Sequence, residues 1–336
     1  MRYRSLLLAG SLLIAACVTP RVQAPVARPQ EPRLTSDRVL LADGAVLPLA
    51  QWAPPAGAPR AAVVALHGLN DYHAAWAEAA ELLAANGFAV YAYDQRGFGT
   101  TAQRGIWAGG DVLASDARAV AALVRARHPS IPLYVLGESM GAAVLLHALA
   151  QQPSGWLDGV VLLAPAVWNR RDMPWYQRFG LYVVGHTFRG MTIATPRGRA
   201  ASDNAAAMRR LTDDPLVIHR VRVDMLSGVA DLMDAVTDTR ADFEVPVLIL
   251  YGAHDLIVPA RPVCRWIASL DANASWQLAV YPDGWHLLLR DHGRAAAIAD
   301  VTAWLAQPGS DLPSGFAAAK PRDESSCLDL VAMDTG

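Results

Sequence analysis

Residues 133–142 read LYVLGESMGA: an apolar β-type run, then Gly137-Glu138-Ser139-Met140-Gly141, then small and apolar residues. A serine between two glycines, where a strand gives way to a helix, is placed for nucleophilic chemistry. The sharp turn presents its hydroxyl, and side chains at Gly137 or Gly141 would collide with neighbouring backbone. The helix N-terminus behind Ser139 favours developing negative charge. A serine hydroxyl is a poor nucleophile at neutral pH, so it needs a base, and the base needs an orienting acid. On a strand–turn–helix nucleophile the chain order is Ser, acid, His. VLILYGAHDLIVP puts Asp255 four residues past the strand's last aromatic, and VYPDGWHLLL puts His286 in a loop ahead of a final helix. These three are the candidate catalytic residues. The tetrahedral intermediate also needs N–H donors, expected from Met140, directly after the nucleophile, and from Leu69, after AVVALHG.

The rival residues are weaker by position. His254 lies on the acid's own turn and breaks the chain order. His292 sits in a polar RDHGR stretch, and His147 falls inside a helical pattern. His67 reads as a loop-positioning residue, since His286 already fills the role of base. Asp283 and Asp291 flank the proposed base and stay open as alternative acids.

These residues need a scaffold, and the hydrophobic pattern supplies one. Apolar runs at 62–66, 89–93, 133–136, 160–164, 247–251 and 276–281 suit strands buried on both faces, and shorter runs at 39–41 and 46–52 suit a hairpin turned at ADG. Helical patterns fall between them, at 76–86, 112–128, 142–151 and 295–305. Strands alternating with helices imply an α/β fold, with a mostly parallel sheet covered on both faces. All three candidates then stand at carboxyl ends of strands, where open sheets build their sites. The rhythm breaks at 167–243, which shows no strand run and carries helical patterns at 204–211 and 221–236. It reads as a helical insertion between two core strands.

The motifs HGLNDY, YAYDQRGFGTT, GESMGA, SDNAAAMRRLTDDPL, GAHDLIVP and GWHLLL, in that order, resemble the monoacylglycerol lipase and lysophospholipase branch of the α/β-hydrolases, a branch shared with serine aminopeptidases. The resemblance covers about residues 39–305. It implies an eight-stranded type of sheet, a Ser139–Asp255–His286 triad, and a helical cap over an acyl-chain tunnel. Ala142 departs from the third glycine of many such sequences, and Trp285 from a common tyrosine. The chain then divides into a leader 1–17, a Pro-rich tether 18–36, an α/β-hydrolase domain 37–307 with its cap at 167–243, and a tail 308–336. The expected activity is hydrolysis of a lipid-derived carboxylic ester, a monoacylglycerol or lysophospholipid. Peptidase or amidase action, acyl transfer, and a non-catalytic envelope lipoprotein are the alternatives. The cap stretch 173–188 is rich in aromatic and aliphatic residues; it suits an acyl pocket, a membrane contact or ordinary packing equally well.

Bulk properties bound the rest. A chain of 336 residues with 53% hydrophobic residues can bury a large core, and a net charge of −2 gives no footprint for nucleic acid. No cofactor is called for, and no zinc-type ligand cluster appears. Arg2 and Arg4 precede the apolar stretch LLLAGSLLIAA, too short for a membrane span, and then Cys17. This resembles a bacterial lipoprotein signal with Cys17 as the lipidated residue; an ordinary signal peptide with an incidental cysteine is the alternative. No acidic residue directly follows Cys17, where Val18 stands, which in such signals points to an outer-membrane anchor in the cell envelope. Outside the cytoplasm Cys264 and Cys327 can pair and pin the tail; the alternative is a buried Cys264 and a free Cys327.

Overall fold

The computed structural model describes residues 23, 29–153, 155–194, 201–239 and 243–333. The leader with Cys17 and most of the tether lie outside the described residues. Three strands open the fold: β1 (Arg33–Leu34), β2 (Arg38–Leu40) and β3 (Val46–Trp52). Strand β4 (Ala61–Leu66) leads to α1 (Ala77–Ala85), β5 (Phe88–Tyr93) to α2 (Gly110–Arg127), and β6 (Leu133–Glu138) to α3 (Met140–Gln151). Strand β7 (Gly159–Leu163) enters the insertion. There follow α4 (Trp175–Thr187), β8 (Thr192–Ala194), α5 (Ala205–Asp213), β9 (Arg220–Arg222) and α6 (Val223–Asp238). The chain returns as β10 (Val247–Gly252), α7 (Ala260–Ala268), β11 (Trp276–Tyr281), α8 (Arg294–Ala306), β12 (Ala317–Ala318) and α9 (Glu324–Met333).

The described strands of the main sheet run in the order β1-β2-β3-β5-β4-β6-β7-β10-β11-β12. From β5 to β11 each neighbouring pair is parallel; β1, β2, β3 and β12 add antiparallel edges. Strand β4, AAVVAL, is buried along its whole length. Its alternate residues part to two cores, as a period of two requires. Ala62, Val64 and Leu66 join Leu113 and Val120 of α2 and Val144 of α3. Ala61, Val63 and Ala65 join Leu83 of α1 and Val301 and Trp304 of α8. Helices on both faces explain why the strand is apolar at every position.

The mostly parallel α/β sheet expected from the pattern is present, with ten strands among the described residues, and three further features refine the reading. Two-residue strands β1 and β12 extend the sheet at its edges, so Arg33–Leu34 belongs to the fold and not to a tether. The tail is also folded: β12 pairs with β11, and α9 is joined to α7 by a Cys264–Cys327 disulfide with Cα atoms 5.4 Å apart. The insertion is not wholly helical, because β8 and β9 form an antiparallel pair, with Ile193 opposite Val221. Each of these strands is three residues or shorter, below the four needed for alternation to show.

Candidate active site

Strand β6 ends at Glu138 and α3 begins at Met140, leaving Ser139 alone in the turn with φ 54° and ψ −114°. A non-glycine residue at positive φ is strained by about 1–3 kcal/mol and persists only where its surroundings hold it. Here the Ser139 amide donates to Leu163 O at 2.9 Å, and the Ser139 carbonyl accepts from Ala143 and Ala166. The flanking glycines permit the close approach. A Cβ at Gly141 would stand 2.3 Å from Leu66 O, and one at Gly137 2.6 Å from the Ala142 amide nitrogen. Met140 opens the helix, so its N–H has no partner within the helix.

Asp255 lies just past β10, in a turn closed by its amide on Gly252 O at 3.1 Å. Its Oδ1 accepts from the amides of Ile257 (2.7 Å) and Val258 (3.0 Å), which fixes the carboxylate. Its Oδ2 accepts from His286 Nδ1 at 2.7 Å. A carboxylate only accepts, so the Nδ1 carries the proton and Nε2 is left as the basic nitrogen. Both side chains are buried, His286 at 5% and Asp255 at 0% exposure. Burial opposes protonation of His286, but the charge and hydrogen bond of Asp255 outweigh it and hold the imidazole above its ordinary pKa.

The acid and base loops touch through glycines. A Cβ on Gly252 would stand 2.4 Å from Trp285 O, and His254 N donates to Gly284 O at 2.9 Å. The rings of His254 and Trp285, each one residue ahead of acid or base, stack with centroids 5.7 Å apart.

The loop after β4 completes the site. A Cβ on Gly68 would sit 3.4 Å from Ser139 Cβ, so this loop lies against the Ser139 turn. Asn70, next to Leu69, adopts φ 71°. His67 is fully buried, with Nδ1 donating to Gly68 O at 2.8 Å and Nε2 accepting from Gln95 N at 3.0 Å. Both ring nitrogens are engaged, and burial pushes its pKa down, so His67 is a neutral brace for this loop.

Ser139, His286 and Leu69 line one cavity of about 1070 Å³. The cap supplies Met208, Leu211, Val217 and Ile218 to its wall. The rival residues stand apart from this arrangement. His147 pairs with Asp111 at 2.7 Å, His292 and Asp283 are exposed, and Asp291 accepts from the Trp285 amide at 2.8 Å. Asp291 thus braces the loop that carries His286; burial raises its pKa to about 6.

Sequence reasoning missed a buried ionic cluster on the same cavity wall: Arg290 with Asp71 and Glu138. The available signal was a charge inside each of three otherwise apolar or glycine-rich motifs, HGLND, GESMG and HLLLR.

A strained serine on a strand–helix turn, a buried Asp–His pair and a parallel sheet with a cap define an α/β-hydrolase fold. Residues 57–293 match the serine aminopeptidase S33 family, and the chain belongs to that family. It is similar to the monoacylglycerol lipase of Mycolicibacterium smegmatis, 25% identical over 256 residues, covering 76% of this chain and 90% of that protein. It is also similar to the monoglyceride lipase of Mus musculus, 24% identical over 294 residues and covering 85% and 95% of the two chains. Among solved structures, a soluble variant of the monoglyceride lipase of Saccharomyces cerevisiae, in complex with a substrate analogue, superposes with a TM-score of 0.68. It is 18% identical and covers 85% of this chain and 98% of that one. The monoacylglycerol lipase of Paleococcus ferrophilus superposes with a TM-score of 0.64 at 23% identity, covering 77% and 98%.

Proposed function

We propose that the protein is a serine hydrolase that cleaves lipid-derived carboxylic esters, monoacylglycerols or lysophospholipids, through an acyl-enzyme. Ser139 attacks the ester carbonyl while His286 takes its proton at Nε2. The amides of Leu69 and Met140 receive the oxyanion. His286 then gives the proton to the leaving alcohol, and water repeats the cycle on the acyl group. The observation that carries this reading is the buried His286–Asp255 hydrogen bond on the cavity that Ser139 lines.

The likeness to monoacylglycerol and monoglyceride lipases supports the substrate class. So does the cap. Trp175, Phe179 and Tyr182 stand at i, i+4 and i+7 on α4, are 63–75% exposed, and make an apolar face turned outward, suited to a lipid surface. Lipidation at Cys17 would hold the enzyme at the envelope, where it meets such esters; Cys17→Ser should release it from membranes.

The test is a panel of p-nitrophenyl esters of increasing chain length, with a monoacylglycerol, a lysophospholipid and aminoacyl anilides. Long-chain esters and one of the two lipids are expected to be cleaved fastest. Faster cleavage of the anilides would move the assignment to a peptidase, and no preference over acetate would remove the lipid substrate.

A further inference from the structure

Three charged side chains are buried in the cavity wall, and the reaction as drawn uses none of them. Arg290 Nη1 donates to Asp71 Oδ2 at 2.6 Å, and its Nη2 donates to Glu138 Oε1 at 2.9 Å and Oε2 at 2.7 Å. Each side chain is at most 9% exposed. Burying charge is costly unless the pairing is good, and a guanidinium fork is the group that can hold two carboxylates in fixed directions.

Each member comes from a different part of the catalytic apparatus. Asp71 follows the Leu69–Asn70 loop, Glu138 directly precedes Ser139, and Arg290 stands four residues past His286. The cap joins in. Arg290 O accepts from Asn204 Nδ2 at 2.8 Å, and Asn204 caps α5 through its Oδ1.

We propose that Arg290 is a positioning residue that locks the oxyanion loop, the nucleophile turn and the base loop together, and that with Glu138 it balances the charge facing His286. The inference rests on the serine-hydrolase reading. Asp255 meets the imidazole at Nδ1; Glu138, Arg290 and Asp71 line the same cavity as His286, with Asp71 bonded to Arg290, and Asp291 meets the His286 loop through the Trp285 amide. Glu138 favours the imidazolium and Arg290 opposes it. Removing either charge should therefore move the titration of His286, in opposite directions, a readout that a merely structural strap would leave unchanged.

The experiment measures kcat and KM for a soluble p-nitrophenyl ester across pH in wild type, Glu138→Gln, Arg290→Met and Arg290→Lys, with circular dichroism to check folding. Glu138→Gln should move the pH midpoint of kcat/KM down, and Arg290→Met should move it up, each by on the order of 0.5–1 pH unit. Arg290→Met should also lower plateau kcat about 10²-fold, with little change in KM, through misplacement of the reacting groups. Arg290→Lys should bring the midpoint back toward wild type while kcat stays low, because an ammonium restores the charge without the fork. If Arg290→Met fails to fold, the near-isosteric Glu138→Gln still decides. An unmoved midpoint in Glu138→Gln, or full kcat in Arg290→Lys, overturns the proposal. A wild-type protein that neither cleaves the ester nor reacts with a fluorophosphonate overturns the hydrolase reading instead, and this inference with it.

Discussion

At the residue scale, the proposed reactivity is a matter of which form of His286 is present. Only the neutral imidazole can accept the Ser139 proton, and Asp255 holds the ring above its ordinary pKa of 6.5. Activity should therefore rise with pH through a midpoint above 6.5, measured as kcat/KM on a soluble ester; a midpoint below that value would contradict the geometry. The same pair contributes stability that is full below the ordinary pKa and is lost as pH rises through the raised one, so the enzyme gains activity where this pair ceases to stabilise the fold. Asp255→Asn removes the acceptor that sets the tautomer and should lower kcat by about 10⁴-fold with the fold intact. The candidate residues Ser139, Asp255 and His286 stand out in the sequence because each sits in a short loop after a strong strand pattern. The Arg290 cluster was not, since its contacts span 219 and 152 positions of chain and no local periodicity reports a pairing over that distance.

At the scale of elements, the turn from β6 to α3 works only because Gly141 lets the helix start press against the carbonyls of Leu66, at the end of β4, and His67. Gly141→Ala should force the helix off β4 and destabilise the protein by about 1–3 kcal/mol, readable by chemical denaturation. Wild-type stability in that variant would mean the turn is looser than it stands here. The outward apolar face of α4 makes a separate prediction. Replacing Trp175 and Phe179 by serine should slow cleavage of vesicle-borne monoacylglycerol while leaving a soluble short-chain ester unaffected. Equal loss on both substrates would argue that the face packs the cap and does not meet lipid. The six central strands were readable because each is dominated by an apolar run, broken only by Gln277 in β11 and ended by Gly137-Glu138 in β6. Strands β8 and β9 escaped because three residues carry no usable alternation, and the α6 helix consequently starts at Val223 and not at the expected 221.

On the scale of the whole molecule, the C-terminal segment is part of the enzyme's frame. Cys327 on α9 is joined to Cys264 on α7, the helix that follows the Asp255 turn. Arg265 on α7 pairs with Glu324 at 2.9 Å and with Asp172 at the root of the cap, so one cation links tail, core and cap. Cross-linking across 63 residues removes unfolded-state entropy worth roughly 4 kcal/mol. Cys327→Ser should lower Tm by roughly 5–10 °C with the catalytic rate at 25 °C kept. Composition had marked this segment as a weakly patterned tail, because a disulfide and a two-residue strand hold it in place of a strong amphipathic pattern.

The central claim is that residues 139, 255 and 286, separated along the chain, meet to make one serine hydroxyl reactive toward an ester. The most direct measurement traps the intermediate: the enzyme is mixed with a p-nitrophenyl ester, quenched in acid during turnover, digested and read by mass spectrometry. The account predicts one acyl adduct, on the peptide carrying Ser139, absent in Ser139→Ala, whose kcat should fall about 10⁶-fold. An adduct on another residue, or undiminished hydrolysis by Ser139→Ala, would contradict it.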